Sequence, residues 1–404
     1  MAFDVLRARA DFPILSREIN GKPLIYLDSG ASAQKPEAVI EAMSHAMRHS
    51  YANVHRGLHR LANETTDAYE AGRETVARFI GADVNEIVFT KSATEAVNLV
   101  AASWGERLQA GDEILTTEME HHANIVPWYM LAQKKGLVLR YIPILDDGSL
   151  DMSALDDMLS PKVKIVAVTH MSNVLGTVND VKAIADKAHA VGAKLVVDGA
   201  QGVVHLPVDV KALGADFYVF SSHKLYGPTG LGVLYGRAEL LADMPPYQGG
   251  GEMIARVTKD KITWNEPPHR FEAGTPAILE VIGLKAAIDW VSQFDRDEVL
   301  AHEHALYQRA YDQLTRINSL RVHGTAPGKG SILTFSLGQA HAHDVAQILD
   351  RYNIAVRAGT HCAEPLMTRL GVTSTVRASF ALYNTEDEID VLAEAVAKAQ
   401  SFFE

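Results

Sequence analysis

The chain of 404 residues contains a single cysteine, Cys362. No internal disulfide can form, which fits a reducing compartment, and any thiol chemistry has one residue to use. Long apolar runs are also lacking. No stretch approaches the roughly 20 residues that a membrane-spanning helix needs. The first residues, MAFDVLRARADFPIL, have no apolar core or small-residue cleavage site, and Asp4 and Asp11 sit among their arginines. No leader or transit peptide is expected, and the expected location is cytoplasmic, away from membranes. Basic residues are outnumbered, 38 Lys and Arg against 50 Asp and Glu, and no basic run offers nucleic acid a footprint. Repeats, low-complexity tracts and Pro- or Ser-rich linkers are missing, so nothing indicates a solenoid or tethered modules.

What is present points to two lobes, because a chain this long outgrows one compact core. Between about 85 and 235, short apolar runs alternate with helix-length stretches. The runs are EIVFT (86–90), EILTT (113–117), VLRYIPI (138–144), KIVAVTH (164–170), KLVVD (194–198), DFYVF (216–220) and GVLYG (232–236). They lack polar alternation, so they read as strands buried on both faces of a mainly parallel sheet. Two long amphipathic stretches follow, 276–294 and 298–317, then mixed strands and helices ending in a strand at 375–382 and a helix at 385–402. The expected fold is α/β: a large domain over 15–275 and a smaller α+β domain over 280–404. Residues 1–14 are free to pack on either.

Active sites on such sheets lie beyond the carboxyl ends of the strands. After EIVFT, Ser92 and Glu95 have capping-box spacing, and the helix they open is a potential anion site with Thr94 in its first turn. After EILTT come His121 and His122. They are not spaced as H-E-x-x-H and no second ligand cluster accompanies them, so no metal is expected. After KLVVD, Asp198 is a carboxylate at a buried strand end, which needs a cation or donors. After DFYVF come Ser221, His223 and Lys224. A lysine carried there by a buried strand has its pKa lowered by desolvation, which suits Schiff-base chemistry. A potential anion site, a histidine that could cap a helix or stack on a ring, a carboxylate and a lysine, with Asp198 and Lys224 26 residues apart, match the requirements of pyridoxal phosphate (PLP).

The motifs TKSATEAVNLVA, MEHHANIVPW, THMSNVLGT, VDGAQG, FSSHKLYGPTGLGVLYG, RFEAGTP, VRAGTHCAEPLM and VRASFALYN extend this over nearly the whole chain. With them the chain resembles the aspartate-aminotransferase-like (fold type I) PLP enzymes. Within these it resembles the class V branch and its SufS-type, group II cysteine desulfurases. The resemblance implies that Lys224 carries PLP, Asp198 pairs with the ring nitrogen, and Gln201 bonds the ring's phenolic oxygen. It implies that His121 stacks on the ring and handles protons, and that Thr94, Ser221 and His223 bind the phosphate. Thr275 from a second subunit would complete the phosphate cup of a homodimer. Arg377 would clamp the carboxylate of L-cysteine with Asn173 nearby, and Cys362 would accept its sulfur. The sulfur would then pass to a protein resembling SufE or SufU, for iron–sulfur cluster assembly. A selenocysteine lyase on the same fold is the alternative. Arg357 and His361, close to Cys362 in sequence, are candidates for lowering the thiol pKa, and Arg357 for binding substrate. Thr360 stands where many relatives carry a second histidine.

Two readings of other kinds fare worse. A non-catalytic scaffold would not need Lys224, Asp198 and Cys362 together. A nicotinamide oxidoreductase would need a G-x-G-x-x-G after a strand, and none is present.

Overall fold

In the computed structural model, which describes residues 3–403, the alternating region forms one seven-stranded sheet. Its strands are β1 (Ile87–Thr90), β2 (Glu113–Thr117), β3 (Val138–Ile142), β4 (Val163–Thr169), β5 (Lys194–Asp198), β6 (Phe217–Ser221) and β7 (Gly232–Gly236). Their order is β1-β7-β6-β5-β4-β2-β3. All pairings from β6 to β3 are parallel. β7 runs against both its neighbours, β1 and β6. The reason is the connection: residues 222–231 alone join β6 to β7, fewer than the dozen or more that a parallel crossover takes.

The apolar runs work by splitting each strand between two cores. Val166, Val168, Leu195, Val197, Tyr218 and Phe220 enter one cluster. The alternating Ile165, Ala167, Val196, Phe217 and Val219 enter another. This is the period-2 geometry of a strand covered on both sides. The covering helices include α1 (Glu37–His49), α2 (Arg60–Phe79), α3 (Ala93–Ser103), α4 (Val126–Lys135), α5 (Val181–Ala190) and α6 (Ile278–Val291), with α6 packed on both α1 and α2.

The C-terminal part builds a second, antiparallel sheet, β8 (Leu320–His323), β9 (Ile332–Leu337), β10 (Arg357–Gly359) and β11 (Thr375–Ser379), in the order β8-β9-β11-β10. Around it lie α7 (Arg296–Leu314), α8 (Ala342–Asp350), α9 (Glu364–Leu370) and α10 (Glu386–Gln400). A third core cluster joins α7, α8 and α10 to this sheet. Thr385 and Glu388 form a reciprocal capping box that starts α10.

Residues 25–28 cross between the two parts. Ile25–Tyr26 pairs in parallel with Ile354–Ala355, and Asp28 bridges to Ser379 on β11. An exposed hairpin, Ile254–Val257 with Ile262–Trp264, projects from the large part. No helix among the described residues is long and apolar enough to cross a membrane.

Candidate active site

The carboxyl ends of β1, β2, β4, β5 and β6 open into one cavity of about 720 Å³, and residues 357–362 and Arg377 of the second sheet face it. From the first sheet it is lined by Thr94, His121, Asn173, Asp198, Gln201, Ser221, His223 and Lys224. The strand ends that the sequence singled out thus converge.

Lys224 follows β6 on a short turn and is half-buried. Burial lowers its pKa to about 8, with Asp198 pulling the other way. A useful fraction of the amine is therefore uncharged near neutrality. Asp198 is buried, and its Oδ1 accepts from the Ala200 N–H at 2.9 Å. Among the described residues it has no ion-pair partner, so a buried carboxylate opens unpaired on the cavity.

The start of α3 is fixed from two directions. Ser92 Oγ accepts from the Glu95 N–H, and the Glu95 carboxylate reaches back to the Lys91 N–H, one residue beyond a standard capping box. The Ala93 N–H donates to Ser221 Oγ at 2.9 Å, joining the helix start to the end of β6. With Thr94 in the same turn, this helix N-terminus and its hydroxyls could hold an anion. His223 shares a hydrogen bond with Ser32 Oγ, and burial, Lys224 and Lys35 push its pKa down to about 4. Its ring is therefore neutral, with one nitrogen to donate. Gln201 Nε2 donates to the Gly30 carbonyl at 2.7 Å.

His121 Nδ1 accepts from the Ala123 N–H at 3.0 Å. Burial first, then Lys224, push its pKa down to about 4, so the ring is neutral. A neutral ring that accepts at Nδ1 carries its proton on Nε2. In this geometry His121 therefore offers a donor, whereas taking a thiol proton would require Nδ1 to be freed.

Arg377 is buried. Its Nη1 donates to the Asn173 carbonyl at 2.8 Å and its Nη2 to Asp28 Oδ1 at 3.3 Å. Arg357 also forks onto Asp28, with Nη2 at 2.8 Å from Oδ2. One aspartate thus balances two guanidiniums. Asp28 was not among the residues singled out in sequence, although it follows the apolar Ile25–Tyr26–Leu27. The Asn173 side chain is spent on the His361 carbonyl at 2.9 Å, so it braces the cysteine segment.

Cys362 is a free, exposed thiol at the cavity edge. It and His361 take consecutive left-handed backbone angles, φ 54° and 55°. Each such residue costs about 1–2 kcal/mol, and the surroundings hold both in place. Asn173 holds one carbonyl, the His122 N–H holds the other at 2.7 Å, and the His361 ring bonds Thr375. The Glu364 N–H, at the start of α9, donates to His122 Nε2. The candidate role of His361 in lowering the thiol pKa does not hold. Burial and Arg377 push its own pKa to about 3, so it is neutral and brings no charge. Arg357, engaged by Asp28, remains the cation on that side.

Thr275 lies apart from this cavity within its own chain. It lines a separate one of about 380 Å³ with Lys91, Glu95 and Gln248.

The family profile described as Aminotransferase class-V matches residues 25–392. The chain belongs to this family. It is 52% identical over 401 residues to a cysteine desulfurase of Klebsiella pneumoniae, covering 98% of each chain. It is 53% identical over 393 residues to one of Dickeya dadantii, covering 96% of this chain and 95% of that one. Among solved structures, the cysteine desulfurase CsdA of Escherichia coli, in an S-sulfonic acid form, matches with a TM-score of 0.93 at 42% identity over the whole of both chains. The apo cysteine desulfurase of Thermococcus onnurineus matches with a TM-score of 0.95 at 40% identity.

This class-V chain is an enzyme of the cysteine desulfurase kind and is PLP-dependent. The donor set fits that cofactor. An unpaired buried carboxylate answers a ring N–H, a helix start with hydroxyls answers a phosphate, and an amine of lowered pKa answers an aldehyde.

Proposed function

We propose that the enzyme removes sulfur from L-cysteine, leaving L-alanine, and carries it as a persulfide on Cys362. The observation that carries this reading is a free thiol on a braced turn, lining the same cavity as Lys224, Asp198 and Arg377. PLP, when bound, supplies an electron sink for charge developing on the substrate carbons. Lys224 would hold it, Asp198 would face its ring nitrogen, His121 its ring and Gln201 its phenolic oxygen. Thr94, Ser221 and His223 would hold its phosphate.

The chain's own residues do the rest. Arg377, joined at the mouth by Arg357, takes the substrate carboxylate with the N–H donors that Asn173 and Asp28 leave free. Lys224 Nζ, uncharged in part near pH 8, moves the proton of the substrate α carbon. His121 Nε2–H donates toward the reacting atoms. The Cys362 thiolate attacks the substrate sulfur. An S–S bond forms as the substrate C–S bond breaks, and its electron pair stays with carbon. Because its turn is held at both carbonyls, Cys362 has little reach of its own. The sulfur is therefore handed to a docked acceptor protein resembling SufE or SufU, in the cytoplasm, for iron–sulfur cluster assembly.

The working unit of this reading is a homodimer. Thr275 stands away from its own cavity, and Leu58, Val257, Ile262 and Trp264 are exposed apolar side chains suited to a second copy. The large domain is taken as 15–275 and the small one as 280–404. Selenocysteine lyase activity is the second reading, because selenium can leave without thiol attack. Alanine release from L-cysteine and L-selenocysteine by wild type and Cys362→Ala separates the two. The proposal expects the cysteine reaction to vanish in the variant. Full-rate alanine from cysteine without Cys362 would overturn it.

A further inference from the structure

We propose that His55, Glu70 and His269 form a binding site for one divalent transition-metal ion, outside the cavity that holds Lys224 of the same chain. These three side chains each present a ligand atom within 4.8 Å of the other two, and they are the one such group among the described residues. They come from different segments. His55 precedes α2, Glu70 lies on α2, and His269 opens a short turn at 269–271. Successive ligands are 15 and 199 positions apart, so no sequence motif announces them.

The geometry is nearly closed already. His55 Nε2 lies 2.8 Å from Glu70 Oε1. An ion bound at about 2.0–2.2 Å wants its ligand atoms roughly 3–3.5 Å apart, within reach of side-chain rotation. The other carboxylate oxygen, Glu70 Oε2, is held by Arg73 Nε at 2.9 Å. Arg73 is itself fixed by Glu272 at 2.7 and 2.9 Å and by the Ile87 carbonyl. Such an outer shell orients a ligand, here aiming Oε1 at the histidines. The His55 backbone is left-handed, φ 69°, and its N–H is tied to Thr66 Oγ1. His55 and His269 border a cavity of about 200 Å³, also lined by Glu252, Glu272 and Asn265, with room for water as a further ligand. Glu70, Glu252 and Glu272 outnumber Arg56 and Arg73, so the local charge favours a cation. Two imidazoles and one carboxylate select ions such as Zn²⁺ or Ni²⁺ over Mg²⁺.

The competing ligand is the Cys362 thiol, so the test must separate the two sites. The PLP-loaded full-length enzyme is dialysed against micromolar Zn²⁺, Ni²⁺ or Mg²⁺, and bound metal is counted by mass spectrometry. The expected result is one Zn²⁺ or Ni²⁺ per chain and no Mg²⁺, unchanged in Cys362→Ala. Binding should weaken by at least about tenfold in His55→Ala and His269→Ala, since outer-shell changes alone cost that much. Zn²⁺ should raise the melting temperature of the wild type but not of His269→Gln, which keeps a planar polar side chain if the alanine variant folds poorly. Uptake that survives in His269→Ala and disappears in Cys362→Ala would overturn the assignment, as would no uptake by the wild type.

Discussion

Arg377 has 2% of its surface exposed, yet only two of its five N–H donors have partners, Asn173 and Asp28, and Nε is buried with none. A guanidinium so placed can brace the site and bind a carboxylate at once. Lysine has one charged nitrogen and must choose. Arg377→Lys should therefore raise the KM for cysteine by roughly 10- to 100-fold, the cost of one or two charge-assisted hydrogen bonds, with a smaller change in kcat. Steady-state kinetics checks this, and an unchanged KM would remove Arg377 from substrate binding. Its candidacy was legible in sequence only through the motif VRASFALYN. Lys224 and Asp198 were legible physically, because one follows and the other ends a strand buried on both faces, whereas His121 was told from His122 only by its motif. Asp28 was not, since its partners Arg357 and Arg377 lie more than 300 residues away and no local pattern links them.

Among elements, the junction of α3 with β6 and β7 decides whether the anion cup exists. Gly232, the first residue of β7, lies directly under the helix start: an added Cβ would sit 2.2 Å from the Ser92 carbonyl carbon. The obstacle is backbone, so the helix would have to lift, breaking the Ala93 N–H bond to Ser221. Gly232→Ala should lower stability by about 1–3 kcal/mol, the usual cost of overpacking, and should weaken retention of PLP. Thermal melting and cofactor content after gel filtration measure both. A variant matching the wild type in each would show that the helix start is not pinned there. The sequence pattern placed the seven strands within a residue or two. It could not give the sense of β7, because an apolar run reads alike in either direction and only the short 222–231 connection decides. The exposed hairpin at 254–264 escaped because it buries too little to leave a pattern.

Across the whole molecule, cysteine is scarce and histidine is not, with one Cys against 17 His, and the histidines couple the fold to pH. Burial lowers the pKa of His121, His170, His223 and His323 to about 4, and of His361 to about 3. Both sheets are involved, since His323 ends β8 of the second and His361 follows its β10. An unfolded chain would bind these protons near pH 6.5. Between about 6.5 and 4 the unfolded state therefore holds more protons, and stability falls as pH falls, by about 1.4 kcal/mol per pH unit for each proton. Buried Glu120, its pKa raised to about 8, works the other way: its contribution is full below about 4.5 and is lost as pH rises toward 8. Burial raises Glu388 in the same direction, and five histidines against these two carboxyls leave the histidines in control. The urea midpoint should be lower at pH 5 than at pH 7. His323, bonded to Ser336 and away from the cavity, offers the control. In His323→Gln the slope with pH should drop by about one proton while the pH 7 activity stays. Equal midpoints at pH 5 and 7 would mean that these rings take up protons without unfolding, and that the buried histidines do not set the acid limit of the fold.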